Sequence, residues 1–212
     1  MTRFTVIVAA TLQNGIGQNG KLAWHIRKDM NYFAQATTKA PEGMLNAVVM
    51  GRNTWESIPE TFRPLKNRMN IVISRNSAYE LMTEETPSTN TPPHLSNSIK
   101  DTLERLADGQ YEGKTIHRSF IIGGASLYYD TLKLPVEGPS FVDRVLITRV
   151  LSPDFPDCDV FLPDFERLAE AQGKPFTRAA HKELEEWVGF EVPEGVQEDE
   201  KGTRYEFQMW VR

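Results

Sequence analysis

Asp29 is the residue whose place in the sequence most directly suggests chemistry. The pattern of residues 26–37 predicts an amphipathic helix with Ile26, Met30 and Phe33 on its apolar face, and Asp29 borders that face. A carboxylate there needs a partner. The candidates are a backbone donor, a helix N-terminus, an arginine, and a cationic or amidine-like group of a ligand. A first-turn acid that stabilises the helix dipole is the alternative interpretation.

A pair of glycines marks a second candidate site. Gly123 and Gly124 lie between a predicted buried strand and a helix whose first turn carries Ala125 and Ser126. Paired glycines let a ligand approach the backbone, and the free amides of a helix start suit a phosphate. A purely structural tight turn explains the same residues.

The segment GIGQNG, at residues 15–20, fits the glycine pattern of dinucleotide-binding folds. In that fingerprint a helix begins at the glycines and an acid ends the next strand. Here residues 22–24 (LAW) intervene, and the next predicted strand ends in Gly51 and Arg52. We therefore interpret residues 15–20 as a flexible Gly-Asn loop whose backbone approaches a ligand.

Positive charge collects in the middle of an acidic chain. Residues 49–75 hold five basic and two acidic residues, whereas the whole chain has 24 Lys and Arg against 29 Asp and Glu. Arg52 and Arg75 each follow a predicted strand, where open α/β sheets bind ligands. With Thr54 and Ser74 nearby, they favour a dinucleotide that carries an additional phosphate. Solvated surface charges are the alternative.

Composition excludes several classes of function. A net charge of −5 opposes general binding to nucleic acids or anionic membranes. Cys158 is the only cysteine, which excludes an internal disulfide and a zinc site built on several thiolates. No apolar run has the length of a membrane span, and the opening segment does not fit a secretory signal. We expect a cytoplasmic protein with no metal and with neither nucleic acid nor membrane as a main partner.

Strand and helix patterns alternate along most of the chain. Strands are predicted at residues 3–11, 46–50, 69–73, 119–122 and 142–150, and helices at 26–37, 53–58, 98–107 and 126–133. This alternation is typical of crossover units around a mostly parallel sheet.

The last third of the chain follows a different pattern. Strands are predicted at residues 175–182 and 203–211, with no helix between them, so a terminal antiparallel pair is expected. Residues 82–97 have the composition of a surface loop. Residues 183–200 hold eight acids and no Lys or Arg, which predicts a solvated connecting loop, with an interaction tail as the alternative.

Five segments taken together resemble dihydrofolate reductases in order and spacing: VAATLQNGIGQNGKLAW, MGRNTWESIP, RPLKNRMNIVISR, FIIGGASLY and CDVFLP. The length, the mid-chain insertion and the YEFQMW ending are similar to eukaryotic monofunctional members such as those of fungi. The resemblance implies an α/β fold, in which four helices flank a single, mostly parallel eight-stranded sheet with an antiparallel C-terminal strand. It also implies a monomer with one domain over residues 1–212, whose adenosine-binding part spans roughly residues 46–115.

The resemblance implies NADPH-dependent reduction of 7,8-dihydrofolate to 5,6,7,8-tetrahydrofolate, which supports one-carbon and thymidylate metabolism. Asp29 would bind the amidine-like edge of the pterin, with Thr148 orienting its carboxylate. Protonation of N5 would pass through an ordered water near Trp24 and Leu22, because Asp29 is too far away to deliver the proton directly. Antifolate inhibitors are implied to occupy the same site.

The remaining family positions divide between the two ligands. The resemblance places around the substrate Ile7, Val8, Asp29, Met30, Phe33, Ile58, Leu65, Arg68, Ile122 and Tyr128. It places around the cofactor Ala10, Ile16, Gly17, Gly20, Gly51, Arg52, Asn53, Thr54, Ser74, Arg75, Gly123, Gly124, Ala125, Ser126, Leu127 and Tyr128.

More specific expectations follow from the same resemblance. Arg68 would pair with the α-carboxylate of the glutamate tail, and Ile7 and Ile122 would offer backbone carbonyls. A cis peptide is implied between Gly123 and Gly124. The loop at residues 15–20 would close over the nicotinamide and exclude water.

Three residues depart from the family pattern. Ala23 stands where the family usually has Pro, Met30 where it often has Phe, and Asp29 where eukaryotic members usually have Glu. The first change makes the loop less rigid, and the other two alter the volume of the pocket. We expect the latter two to shift antifolate selectivity without abolishing activity.

Two other functions compete with this interpretation. A pyrimidine reductase of flavin synthesis with the same fold also binds NADPH near a Gly-Gly turn, but Asp29, Trp24 and the RPLKNR segment argue against it. A catalytically silent NADPH-binding or RNA-binding module would be expected to lose the acid on the first helix.

Overall fold

The computed structural model describes residues 2–82 and 91–212. The strands are β1 (Thr2–Thr11), β2 (Gly15–Gly17), β3 (Leu45–Gly51), β4 (Arg68–Ile73), β5 (His94–Ser96), β6 (Gln110–Tyr111), β7 (Lys114–Ile121), β8 (Ser140–Ser152), β9 (Val160–Phe161), β10 (Thr177–Arg178), β11 (Gln197–Glu198) and β12 (Arg204–Val211). The helices are α1 (Arg27–Thr38), α2 (Arg52–Ser57), α3 (Ile99–Ala107), α4 (Ala125–Leu132), α5 (Phe165–Ala171) and α6 (His181–Val188), with a 3-10 turn at Glu60–Phe62.

The main sheet confirms the predicted topology. Its eight-strand path runs β10-β12-β8-β1-β7-β3-β4-β5, and the short strands β6 and β11 pair with β7 and β12. All pairs from β8 to β5 along this path are parallel, whereas β12 is antiparallel to β8. Strands β2 and β9 form a separate antiparallel pair.

Each face of the sheet carries its own apolar core. One core, which we call the α3–α4 core, contains Phe4, Val6, Leu103, Leu132 and Phe165 among its buried residues. The other, which we call the α1–α6 core, contains Ile7, Tyr32, Phe120, Leu184 and Phe207. Strands covered on both faces have the continuous apolar sequences that the parallel sheet requires.

The prediction of four helices is wrong, because the described residues form six. Helix α5 begins after Asp164, whose side chain accepts a hydrogen bond from Arg167 N at 3.0 Å, and it buries Phe165 and Ala169. Helix α6 begins after Ala180, whose backbone N donates to Glu183 Oε2 at 2.8 Å. Both helices have short apolar stripes and depend on packing against the sheet.

Helix α6 also corrects two other predictions about the C-terminal third. The predicted strand at residues 175–182 is reduced to β10, and the predicted loop at 183–200 begins with helix. Leu184 and Val188 are buried, and the ring of Trp187 packs against Phe120 with a centroid separation of 6.1 Å. The exposed acids lie on the outer face of this helix. The high acidic content of the segment therefore hid the amphipathic spacing of its buried residues.

Two further boundaries differ from the predictions. The predicted loop at residues 82–97 contains β5 at its end, and residues 83–90 of that loop lie outside the described residues. Strand β7 begins at Lys114, several residues before the predicted 119–122. Its first half mixes exposed, partly buried and buried residues, so it lacks the continuous apolar run used to find the other strands. None of the helices in the described part of the chain is long and apolar enough to cross a membrane.

Candidate active site

The predicted catalytic acid on α1 contacts β8, and the double-glycine bend follows β7, which is separated from β8 by one strand of the sheet. Thr148 on β8 lies opposite Ala9 on β1, and β1 pairs in turn with β7, which ends just before the bend. Two strand spacings, about 10 Å, therefore separate the strand below Asp29 from the strand that leads to Gly123. This distance suits a ligand that contacts both groups.

The carboxyl group of Asp29 is buried and held by a neighbouring hydroxyl. Asp29 is 8% exposed, and Thr148 Oγ1 donates to its Oδ1 at 2.6 Å. Burial raises the pKa of Asp29 from 3.8 to about 6, while the hydrogen bond from Thr148 acts to lower it. A carboxyl group that titrates near neutral pH is suited to proton transfer.

Asp29 lies within the buried face of α1 and not at its border as predicted. The buried residues of this helix are Asp29, Tyr32, Ala36 and Thr37. Met30 is 44% exposed, and Phe33 is half-buried. The sequence pattern assigned both large apolar side chains to the core, whereas the structure leaves Met30 and part of Phe33 uncovered.

Three buried donors in the α1–α6 core lack an acceptor among the residues that the structure describes: Trp24 Nε1 and the hydroxyls of Tyr32 and Tyr205. Burial and, to a smaller extent, the charge of Asp29 raise the pKa of both tyrosines. Buried donors normally bond to protein, water or ligand. No pattern in the sequence singled out either tyrosine, although Tyr32 lies one helical turn after Asp29.

The raised pKa of Asp29 predicts that Asp29→Asn stabilises the protein above pH 6. The pKa is higher in the folded than in the unfolded chain, so the stability it contributes is full below pH 3.8 and is lost as the pH rises through about 6. Removing the ionisable group should recover up to roughly 3 kcal/mol at pH 8. Urea unfolding of both proteins at low and high pH measures this difference.

A second buried aspartate provides the matched control for this prediction. Asp143 lies on β8 near Arg3 at 3.8 Å and Arg144 at 3.4 Å. Burial raises the pKa of Asp143 too, but the charges of Arg144 and Arg3 oppose that shift. Asp143→Asn therefore removes favourable charge contacts together with the desolvation cost, and it should stabilise the protein less at pH 8 than Asp29→Asn does. A gain in Asp29→Asn no larger than the gain in Asp143→Asn would contradict the expected effect of Asp29.

Most of the predicted substrate residues share the face that carries Asp29. The structure places in or against the α1–α6 core Ile7, Phe33, Ile58, Leu65 and Ile122. Val8 does not join them, because successive residues of β1 face opposite sides and its side chain packs against the α3–α4 core. Leu22 is 50% exposed.

Arg68 is buried at the start of β4 and has no carboxylate partner among the described residues. Its Nη1 donates to Thr37 Oγ1 at 2.7 Å and its Nε to Lys66 O at 3.0 Å. The guanidinium carbon lies 5.8 Å from the centre of the Phe33 ring. Burial lowers the pKa of Arg68 to about 10, so it stays charged at neutral pH. A buried cation held only by neutral acceptors is prepared for an anionic group.

The double-glycine bend follows β7 and lies beside the end of β3, and its backbone carries no side chains. The peptide between Gly123 and Gly124 is cis, as the resemblance implies. Gly51 N donates to Gly123 O at 2.7 Å, and Tyr128 Oη donates to Ile7 O at 3.1 Å. Gly123 has a φ of +112°, and a Cβ there would lie 3.2 Å from Tyr128 Oη. A side chain at this position would therefore strain the backbone and crowd the tyrosine.

Two helices begin beside this bend, and each is preceded by a glycine. Gly51 precedes α2, and Gly124 precedes α4. Their first turns supply backbone amides that have no partner within the helix. The predicted cofactor residues on these turns are Arg52, Asn53, Thr54, Ala125, Ser126 and Leu127.

The two predicted phosphate-binding arginines lie at the ends of adjacent parallel strands. Gly51 pairs with Ile73 across β3 and β4, so Arg52 is beside Ser74. Arg52 is exposed, with its Nε 3.6 Å from Glu56 Oε1. Arg75 is exposed too. This edge of the sheet therefore offers two solvent-facing guanidinium groups to an anion.

The segment at residues 15–20 is not the free loop that we predicted. Residues 15–17 form β2 against β9, and Asn19 N donates to Asp159 Oδ2 at 2.9 Å. A Cβ at Gly15 would lie 2.8 Å from the Cβ of Cys158. Close packing explains this glycine without a dinucleotide fingerprint. Of the other predicted cofactor residues, Ala10 belongs to the α3–α4 core and Ile16 packs against it.

The chain matches proteins of known family over most of its length. The family model described as "Dihydrofolate reductase" matches residues 3–186. The chain is 41% identical to a dihydrofolate reductase of Cryptococcus neoformans, covering 98% of this chain and 93% of that one. It is 39% identical to a dihydrofolate reductase of Pneumocystis carinii, covering 98% and 96%.

The fold is similar to a solved structure as well. The dihydrofolate reductase of Schistosoma mansoni superimposes with a TM-score of 0.72 at 32% identity, covering 99% of this chain and 98% of that one. Both the sequence and the fold therefore match over nearly the full length, including the helix that carries the buried acid and the strand that precedes the glycine bend. The resemblance noted in the sequence is confirmed, and the chain belongs to the dihydrofolate reductase family.

Proposed function

We propose that this chain reduces 7,8-dihydrofolate to 5,6,7,8-tetrahydrofolate with NADPH as the hydride donor. The observation that carries the proposal is the buried Asp29–Thr148 pair, two strand spacings from a double-glycine bend with two arginines beyond it. One half of this arrangement suits a heterocycle with an amidine-like edge, and the other half suits a phosphorylated dinucleotide.

Asp29 is the catalytic residue of the proposed reaction. Its carboxylate accepts paired hydrogen bonds from the amidine-like edge of the pterin, and the Thr148 hydroxyl fixes its orientation. Protonation of N5 proceeds through a water molecule near Trp24 and Leu22, because the carboxylate is engaged at the other edge of the ring. The unpaired Nε1 of Trp24 offers that water a donor.

The apolar face and Arg68 bind the rest of the substrate. Met30, Phe33, Ile58 and Leu65 bury the pteridine and aminobenzoyl rings, and the exposed Met30 side chain contacts the ligand. Arg68 pairs with the α-carboxylate of the glutamate tail, which gives this buried cation the anion that it lacks. Antifolates with an amidine-like edge use the same groups.

The residues around the glycine bend fit NADPH. Gly51 and Gly124 precede α2 and α4 without a side chain, and the first turns of these helices supply amide donors for a diphosphate. Arg52 and Arg75 bind the phosphate on the adenosine ribose. Bound in this position, NADPH supplies the hydride for the reduction. The backbone carbonyls of Ile7 and Ile122 orient the ring edge.

Three broader expectations accompany this proposal. Residues 1–212 act as one domain, with the adenosine-binding part at roughly 46–115. The chain acts as a monomer and works in the cytoplasm. These statements stay predictions that rest on the family resemblance.

An absorbance assay tests the proposed reaction. The purified chain is mixed with NADPH and dihydrofolate, and the loss of reduced nicotinamide is followed against a blank without dihydrofolate. We expect turnover that depends on both compounds. A parallel reaction with the pyrimidine intermediate of flavin synthesis should give none. Turnover of the pyrimidine alone would assign the rival activity, and no turnover of either would reject the enzyme.

A further inference from the structure

Arg149 is a buried cation that the proposed reaction does not use. It lies on β8 directly after Thr148 and is 9% exposed. No carboxylate approaches it within ion-pair distance in the described parts of the chain, and its pKa is lowered by burial. A buried guanidinium without a carboxylate costs several kcal/mol of desolvation. Its position therefore calls for a reason beyond stability.

Both hydrogen-bond acceptors of Arg149 lie at the base of the glycine segment. Nη1 donates to Thr11 O and to Asn14 Oδ1, each at 2.8 Å. Thr11 Oγ1 in turn accepts from Gly15 N at 2.9 Å. Asn14 has a φ of +63°, and its carbonyl accepts from Leu162 N at 2.7 Å. The guanidinium thus holds the turn that connects β1 to β2.

Adjacent residues of β8 support the two halves of the site from opposite faces of the sheet. Side chains alternate along a strand, so Thr148 contacts Asp29 on the α1 side while Arg149 contacts the base of residues 15–20 on the other side. A displacement of Arg149 would move the glycine segment and leave the substrate acid in place.

We infer that Arg149 is a positioning residue that fixes the glycine segment at residues 15–20 over the nicotinamide end of the cofactor. The inference rests on the proposed function, because it assumes that the segment contacts NADPH. It predicts that loss of the guanidinium affects the cofactor and the rate more than the affinity for dihydrofolate.

Arg149→Met and Arg149→Lys test the inference, with Arg144→Met as the matched control. Arg144 lies on the same strand with a partly buried guanidinium, but it stacks 4.7 Å from the centre of the Trp187 ring, away from the glycine segment. We expect Arg149→Met to raise KM for NADPH about tenfold, a loss equivalent to one ordinary charged hydrogen bond. KM for dihydrofolate should not change, and Arg149→Lys should restore part of the loss.

Hydrogen exchange of the free protein provides a readout that needs neither cofactor nor activity. In Arg149→Met the amides of Gly15, Gly17 and Asn19 should exchange at least about tenfold faster than in the wild type. In Arg144→Met they should keep their protection even if the melting temperature falls. Asn14→Gly permits the positive φ and removes the side-chain acceptor, so it should reproduce part of the effect and should not add fully to Arg149→Met.

Four results would overturn the inference. Unchanged amide exchange in Arg149→Met would show that the guanidinium does not hold the segment. Equal changes in both KM values, or the same exchange pattern in Arg144→Met, would identify a general loss of stability. Faster amide exchange in Arg149→Met with an unchanged KM for NADPH would show that the position of the glycine segment does not affect cofactor binding. A wild-type chain without dihydrofolate turnover would instead contradict the proposed function, and the exchange result would still decide whether Arg149 holds the segment.

Discussion

Replacement of Asp29 by Asn is expected to lower the turnover of dihydrofolate about 10²- to 10⁴-fold at pH 7. The amide keeps the size of the side chain and an acceptor for the Thr148 hydroxyl. It removes the charge that binds the amidine-like edge and the group that titrates near pH 6. Turnover at saturating concentrations of both ligands, measured on either side of that pH, tests this expectation.

The pH profile separates a chemical role of Asp29 from a structural one. The wild-type rate should change slope near the pKa of about 6, because Asp29 passes between its neutral and its charged form there. Asp29→Asn should lack this bend. Thr148→Val should move it to higher pH, since the lost hydrogen bond favours the carboxylate. NADPH affinity, which depends on other elements, should persist in both variants.

Two results would contradict this role of Asp29. An Asn variant that turns over dihydrofolate within about tenfold of the wild type at pH 7 would show that the Asp29 carboxylate is not needed for turnover. An unchanged bend in the pH profile of that variant would show that a group other than Asp29 titrates there. Loss of folding is not the expected cause of inactivity, because this substitution should stabilise the protein above pH 6.

The sequence predicted two kinds of site residue. One kind is a charged residue within an apolar helical pattern, and the other is a residue at the end of a predicted strand. Asp29 stands out because a charged residue enters an apolar helical pattern. Arg52 and Arg75 stand out because each follows the end of a strand, and parallel strands end at the same edge of a sheet. Neither inference requires knowledge of which strands are neighbours.

The residues that the sequence analysis missed depend on long-range pairing. Tyr205 reaches the surroundings of Asp29 because β12 pairs with β8, placing Tyr205 opposite Val150. Arg149 reaches Thr11 because Ala10 and Arg149 are partners across β1 and β8. No local pattern in either segment specifies these registers.

Helix α6 shows how composition can hide a local pattern. Leu184, Trp187 and Val188 have the spacing of one helical face, and Gly189 ends the helix with a φ of +78°. The acids between them favour contact with solvent, which is why a loop was predicted for residues 183–200. The packing of Trp187 between Arg118 and Phe120, on a strand far away in the sequence, stabilises the helix.

The second large effect is expected at the phosphate edge, where Arg52→Ala and Arg75→Ala should each weaken NADPH binding about 10- to 100-fold. Each variant removes a charge-assisted contact with the phosphate on the adenosine ribose. NADH lacks this phosphate, so its binding should hardly change. The effect on Arg52 should be the smaller of the two, because Glu56 already lies 3.6 Å from its Nε and competes for the guanidinium.

Titration of the intrinsic fluorescence with NADPH and with NADH measures this preference directly. Lys66→Ala is the matched control, because it removes a positive charge from the same basic segment at a position that does not end a strand. A general electrostatic field would make all three variants weaken NADPH to similar extents, with a strong dependence on salt. If only Arg52→Ala and Arg75→Ala lose affinity, and only for NADPH, the phosphate on the adenosine ribose binds between the two arginines. Equal losses of affinity for NADPH and NADH would contradict that role for both arginines.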